Sequence, residues 1–194
     1  MAEMNWFNRW FINFSNVRRS TRILRTLGPS LALPPSPRIL ELGAGRGGMS
    51  ALLHERFRPA KLIVSDFDPN QLDAARRFLD QRLGTLPSSI ELRKVDATNI
   101  PFEPGSCDCV FAIGVLHHVE AHHGDYQERP KALREIRRVL APGGLLVYWE
   151  FSRTDAMRTT LTELGFVPVF DKPGRKKSEL AIVRAPTTPP VVTS

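Results

Sequence analysis

Apolar residues fall into two rhythms along this chain. Over residues 5–27, Trp6, Trp10, Phe14, Val17, Thr21 and Leu24 recur at three- and four-residue steps, with Phe7 and Phe11 widening the stripe. Arg18, Arg22 and Arg25 form a second stripe, so the segment predicts an amphipathic helix. Pro29, Pro34, Pro35 and Pro37 cannot continue it and mark a linker. Beyond them, short apolar runs alternate with helical patterns. The runs predict strands at 38–42, 61–66, 90–95, 108–113, 145–151, 166–170 and 180–184, and the patterns predict helices at 48–57, 70–83, 130–140 and 155–164. Asp68 or Asn70 is suited to cap the helix over 70–83, and Pro142-Gly143-Gly144 stops the one over 130–140.

Strands alternating with helices predict an α/β fold: a mostly parallel seven-stranded sheet with helices on both faces. The last two strands, joined across Pro173-Gly174, predict one antiparallel edge strand. The chain then divides into an N-terminal helix and Pro-rich linker (1–36), an α/β domain (37–185) and a disordered tail (186–194), with Ala185 onward expected to hang free.

Composition narrows the setting more than the chemistry. The 194 residues suit one domain with a sizeable core, and 42% hydrophobic and 24% charged residues are ordinary for a globular protein. The net charge is +7, and the first 38 residues hold six arginines against the single acid Glu3. Such a surface attracts nucleic acid, anionic lipid or acidic ligands, or is simply solvated. No nucleic-acid-binding module is visible, so no nucleic-acid partner is expected. The aromatic, basic N-terminal helix fits packing over the domain or its cleft, peripheral contact with a membrane surface, or an organelle transit peptide. Asn8, Arg9 and Asn13 interrupt the apolar run that a secretory signal needs. Cys107 and Cys109, two apart on one predicted strand, share a face without the geometry of a disulfide, which points to a reducing, cytoplasmic location. No apolar run approaches the ~20 residues of a membrane span.

The candidate chemistry sits at the carboxyl ends of the strands, where ligands bind in such sheets. The first strand ends at Glu41, and Gly43, Gly45 and Gly48 crowd the turn that opens the next helix. Bare backbone there permits close approach to a ligand and leaves helix N–H groups pointing at it. Asp66, about twenty residues on, is placed to accept both hydroxyls of a ribose or to cap the following helix. Phe67 suits an adenine face or the core. Asp96, Ala97 and the stretch from Gly114 to His118 end the third and fourth strands. A dinucleotide-binding oxidoreductase using NAD(P) would employ the same glycines and Asp66.

Glu41, Gly43, Gly45 and Gly47 together resemble the first motif, E/D-x-G-x-G-x-G, of class I S-adenosylmethionine (SAM)-dependent methyltransferases. Val95-Asp96-Ala97 followed by Ile100-Pro101-Phe102 resembles the segment whose acid bonds the adenine amino group. Ser106-Cys107-Asp108-Cys109-Val110-Phe111 is similar to the family's fourth strand, with Cys107 in place of the usual phenylalanine. Leu133-Arg134-Glu135-Ile136-Arg137-Arg138-Val139-Leu140-Ala141-Pro142-Gly143-Gly144 resembles its L-x-E-I-x-R-V-L-x-P-G-G helix and turn. The set spans about Arg38 to Glu150 and resembles most the small-molecule branch that includes the ubiquinone and menaquinone biosynthesis methyltransferases. The resemblance implies a Rossmann-like class I methyltransferase fold and SAM as cofactor. It further implies binding through Glu41, Gly43, Ala44, Gly45, Gly47, Asp66, Phe67, Asp96, Ala97 and Gly114, and a small-molecule acceptor such as a quinone precursor or lipid. A non-catalytic module that keeps the fold is the alternative from outside enzymology.

Methyl transfer from a sulfonium rests on alignment and, for some acceptors, on removing a proton. His117 and His118 are the candidate bases, since imidazole titrates near neutral pH. His117, His118, Glu120, His122 and His123 are close in sequence, but their spacing is not H-E-x-x-H and no metal is expected. His122, His123, Asp125 and Tyr126 read as a loop at the mouth of the cleft.

Overall fold

A computed structural model describes residues 6–123, 128–151, 154–174 and 178–188, and leaves the side chains of 6–16 and 120–123 undescribed. One sheet forms its centre. Strands β1 (Arg38–Leu42), β2 (Lys61–Asp66), β3 (Ile90–Lys94), β4 (Cys107–Ile113), β5 (Leu140–Glu150), β6 (Val167–Pro173) and β7 (Glu179–Arg184) lie in the order β3-β2-β1-β4-β5-β7-β6. The first five are mutually parallel, while β7 runs against both β5 and β6. The antiparallel strand thus lies one place in from the edge. The order reverses between β1 and β4, which places the ligand crevice at their carboxyl ends.

The apolar runs are strands because both faces of the sheet are covered. Alternate residues feed two cores: Leu40, Leu42, Val110, Ala112 and Leu146 pack with α4 (Leu116–His123), α5 (Glu128–Val139) and α6 (Thr154–Glu163). Ile39, Cys109, Phe111, Leu145 and Val147 pack on the other face with α1 (Trp6–Leu27), α2 (Gly48–Phe57) and α3 (Pro69–Leu83). Of the two candidate caps for α3, Asp68 acts, accepting from the Asn70 N–H at 2.9 Å.

The C-terminal half of α1 is part of this core. Ile23, Leu24, Leu27 and Leu31 are buried, and Arg56 of α2 donates to the carbonyls of Leu24 and Gly28. Side chains of the predicted stripe from Trp6 to Phe14 lie outside the described residues, while Thr21 is exposed and Ser20 is buried in its stead.

Several expectations are corrected. Cys107 and Cys109 do not share a face: Cys107 packs with α4–α6 and Cys109 with α1–α3. The pairing with β5 is irregular between them, since Cys107 pairs with Leu140 but Cys109 pairs with Leu145, so this end of β4 is not a regular pleat. The extra residues of β5 include Pro142-Gly143-Gly144, so this turn is a bulge inside the strand rather than a loop before it. Both thiols are free and buried. His122 and His123 belong to α4, not to a loop, whereas Asp125 and Tyr126 lie outside the described residues. Ala185, Pro186 and Thr188 do not hang free. The Ala185 N–H donates to Gly144 O, Gly143 N–H to Pro186 O, and Arg137 to Thr188 O, while 189–194 lie outside the described residues. Among the described residues no helix is long and apolar enough to cross a membrane.

The stretch from Leu133 to Leu140 has a physical task. Glu135 accepts the Ile100 N–H at 2.8 Å, and Arg138 donates to Ile100 O and Phe102 O, both at 2.7 Å, while pairing with Glu135. The two side chains on α5 hold the loop after β3, which carries Asp96. We expect Arg138→Met, which keeps the aliphatic stem and leaves both carbonyls unanswered, to cost about 1–3 kcal/mol in urea unfolding.

Candidate cofactor and active site

Bare backbone opens the site. After β1 the chain turns through Gly43 and Gly45, both with positive φ, +62° and +54°. A Cβ on Gly43 would penetrate Val115 Cγ2, the first side chain after the turn that ends β4. The two turns at the sheet's switch point therefore touch where only glycine fits. Gly47 is different: its left-handed backbone caps α2, and a Cβ there would press on Ala75 of α3 at 3.3 Å. It packs helices and does not line the cleft.

Acids surround this turn. Asp66 Oδ2 accepts the Gly45 N–H at 2.9 Å and Oδ1 accepts the Asp68 N–H at 3.0 Å, so the end of β2 ties down the glycine turn. A carboxylate offers about four acceptor positions, so Asp66 keeps capacity for a ligand's hydroxyls. Asp96 Oδ1 accepts from Thr98 N–H and Oγ, both at 2.8 Å, and the described residues leave Oδ2 without a bond. Glu41 lies deeper, buried beneath the first turn of α2, and takes a 2.6 Å bond from Ser50 Oγ. Burial pushes its carboxyl up to about 8, against the Ser50 bond and with a smaller push from Asp66.

These groups converge on one cleft of about 710 Å³. Glu41, Gly43, Ala44, Gly45, Asp66, Phe67, Asp96, Ala97, Gly114 and His118 all line it. Phe67 is 47% exposed, with Lys94 Nζ 5.3 Å from the centroid of its ring. A flat, apolar ring system can lie there, with hydroxyls at Asp66 and an amino group at Asp96. The residues present fit an adenosyl group.

His117 stands apart from the cleft lining. Its Nδ1 is 2.8 Å from Glu150 Oε2, and its ring lies against His118 (3.9 Å between centroids) and Phe151 (4.1 Å). Glu150 is the residue that sequence reasoning missed. It is wholly buried at the end of β5, and Oε1 also accepts the N–H groups of Val115 and Leu116, at 3.0 and 2.8 Å. It caps α4 and fixes the turn that Gly43 touches. An acid ending an apolar strand run was the available signal, the same one that marks Glu41. Among the described residues no cluster of three or more His, Cys, Asp or Glu could hold a metal.

A family model described as a methyltransferase domain matches residues 40–148. The demethylmenaquinone methyltransferase of Thermus thermophilus is 40% identical over 125 residues, covering 62% of this chain and 50% of the relative. The cycloartenol-C-24-methyltransferase of Arabidopsis thaliana is 30% identical over 130 residues, covering 67% of this chain and 36% of the relative. The chain thus spans about half the length, or less, of the curated relatives it matches. Among solved structures, the N-methyltransferase NodS of Bradyrhizobium japonicum in complex with S-adenosylhomocysteine superposes with a TM-score of 0.66 at 24% identity, covering 95% of this chain and 90% of that one.

Two outcomes test this geometry. Glu41 keeps its proton in the folded protein up to about pH 8, whereas an ordinary glutamate loses it near 4.5. The unfolded chain therefore binds fewer protons across that window, and the contribution of Glu41 to stability falls as pH rises through it. Glu41→Gln should gain on the parent in urea midpoint from about pH 4.5 to about 8 and then level off. Glu150→Ala, which strands two N–H groups and an imidazole, should cost about 3–5 kcal/mol in the same assay, with Glu150→Gln milder.

Proposed function

The chain belongs to the methyltransferase-domain family, whose cofactor is S-adenosylmethionine, and on that premise we propose that its cleft binds this cofactor and directs methyl transfer to an apolar small molecule, a quinone precursor or lipid. The observation that carries the reading is the meeting of the bare turn at Gly43–Gly45 with the carboxylates of Asp66 and Asp96 around one cleft. Asp66 takes the ribose hydroxyls, Asp96 Oδ2 the adenine amino group, and Phe67 the adenine face. The glycine turn brings main chain against the amino-acid end, with Glu41 beneath it. An NAD(P)-dependent oxidoreductase would account for the glycines and Asp66 and leave Asp96, with its loop held by Glu135 and Arg138, without purpose.

The cofactor supplies a methyl group already activated by the positive charge on sulfur. The chain is left to position the acceptor, exclude water and, where the acceptor requires it, receive a proton. His118 borders the cleft and is the nearer candidate for that proton. His117 has its Nδ1 committed to Glu150 and acts through its neighbours.

The acceptor class draws support from relatives named for demethylmenaquinone and cycloartenol, both largely apolar molecules. The aromatic and basic sequence of Trp6, Phe7, Arg9, Trp10, Phe11 and Phe14 suits delivery of such an acceptor from a lipid surface.

Calorimetric titration should show binding of S-adenosylmethionine and S-adenosylhomocysteine with NAD silent. NAD binding without either adenosyl ligand would end this reading. Removing residues 1–16, which leaves the buried part of α1 in place, should lower sedimentation with anionic phospholipid vesicles and spare S-adenosylhomocysteine binding; unchanged partitioning would remove the membrane part.

A further inference from the structure

The cleft is charged unevenly along the sheet. Its β3–β2 end carries Asp96 and Asp66, and Glu41 lies in the middle under β1. At the other end, over β4 and β5, Arg19 of α1 lines the cleft, its Cζ 5.1 Å from the centre of the Trp149 ring. Trp149 in turn lies against Gly114, where a Cβ would meet the indole at 3.3 Å. Arg19 is thus located over the tips of β4 and β5, across the switch point from Asp66 and Asp96.

Three features mark Arg19 as a group awaiting a partner. Among the described residues no carboxylate pairs with it, whereas Arg38, Arg82, Arg138 and Arg158 all bind acids. Its side chain still reaches solvent, yet the crowding of its guanidinium by the cleft wall pushes it downward with no acid beside it. It is also held in place. Ile23, Leu24 and Leu27, on the next turns of α1, are buried in the core, and Arg56 fastens the end of the helix. The other cations of the cleft are occupied elsewhere. Lys94 lies over Phe67 at the far end, and Arg46 makes an interaction of its own.

A ligand with hydroxyls at the β2 tip has a long way to run to reach Arg19. With strands about 4.8 Å apart, the tips of β2 and β5 are separated by three steps, about 14 Å. An adenosine extended by an amino acid at its 5′ carbon has its only carboxylate at that far end. Resting on the cofactor reading above, we infer that Arg19 receives the α-carboxylate of the cofactor's amino-acid end, so that α1 forms a wall of the cofactor site. The fork of a guanidinium matches a carboxylate with two parallel N–H bonds, and stacking on Trp149 holds its plane.

The test compares two ligands that differ in that carboxylate alone: S-adenosylhomocysteine and its decarboxylated form, 5′-(3-aminopropylthio)-5′-deoxyadenosine. Affinities are measured by calorimetry for the full chain, Arg19→Ala and Arg19→Lys. Arg19→Ala should weaken S-adenosylhomocysteine by about tenfold to a hundredfold and leave the decarboxylated ligand within about twofold, with Arg19→Lys between. Equal losses for both ligands would mean that Arg19 only shapes the helix, and would overturn the inference. No loss for either would overturn it as well and assign the carboxylate to the glycine turn. Failure of the parent protein to bind S-adenosylhomocysteine at all is a different result, and would bring down the cofactor reading together with the inference.

Discussion

The contact between the turn after β1 and the turn after β4 governs this molecule. At Gly43 the backbone takes a conformation that side chains resist, and it lies so close to Val115 that a single methyl would not fit. The two strands on either side of the switch point are thereby brought together at their tips, and the cleft opens above them. Everything nearby serves that approach. Asp66 secures the glycine turn by the Gly45 N–H, and Glu150 secures the opposing turn by the N–H groups of Val115 and Leu116. Each turn is pinned by a carboxylate from the end of a neighbouring strand.

A second layer of support is remote in sequence. Glu135 and Arg138 reach from α5 to the loop that carries Asp96, and Arg56 reaches from α2 to the end of the helix that carries Arg19. At the far end of the sheet, Arg38 grips Asp108 through its N–H and both sides of its guanidinium, and this pairing holds the Asp108 carboxyl below its usual range. β1 and β4 are thus clasped at both ends: by charge at the start and by close packing at the finish.

Most strands and helices were legible because a strand covered on both faces is a run of apolar residues whatever its neighbours, and the glycines declare a conformation that few other residues accept. The acids at strand ends were equally legible at Glu41, Asp66 and Asp96. What was not legible depended on register or on distant partners. Cys107 and Cys109 join opposite cores across an irregularity in the β4–β5 pairing, a fact of register that neither cysteine reveals. Helix α4 is short, and its start is capped by Glu150, some 34 residues away in sequence. The role of Glu135 and Arg138 could be seen as a recurring string but not as a brace until Ile100 and Phe102 were placed beneath it. The segment 185–188 carries Pro186 and no apolar run, yet it docks, because β7 delivers it against Gly144, Gly143 and Arg137.

The way the sheet ends has a consequence of its own. On one side β6 is almost wholly solvent-facing, yet it carries Pro168 and Pro173, which have no N–H to offer, and a pairing irregularity between Pro168 and Phe170. On the other side β3 presents exposed Arg93 and Lys94. A row of main-chain groups interrupted by imino acids at one border, and guarded by like charges at the other, gives a second molecule no continuous ladder to join. Lateral fusion of sheets into fibrous aggregates is discouraged by the borders themselves, leaving the crevice between them as the open face of the sheet.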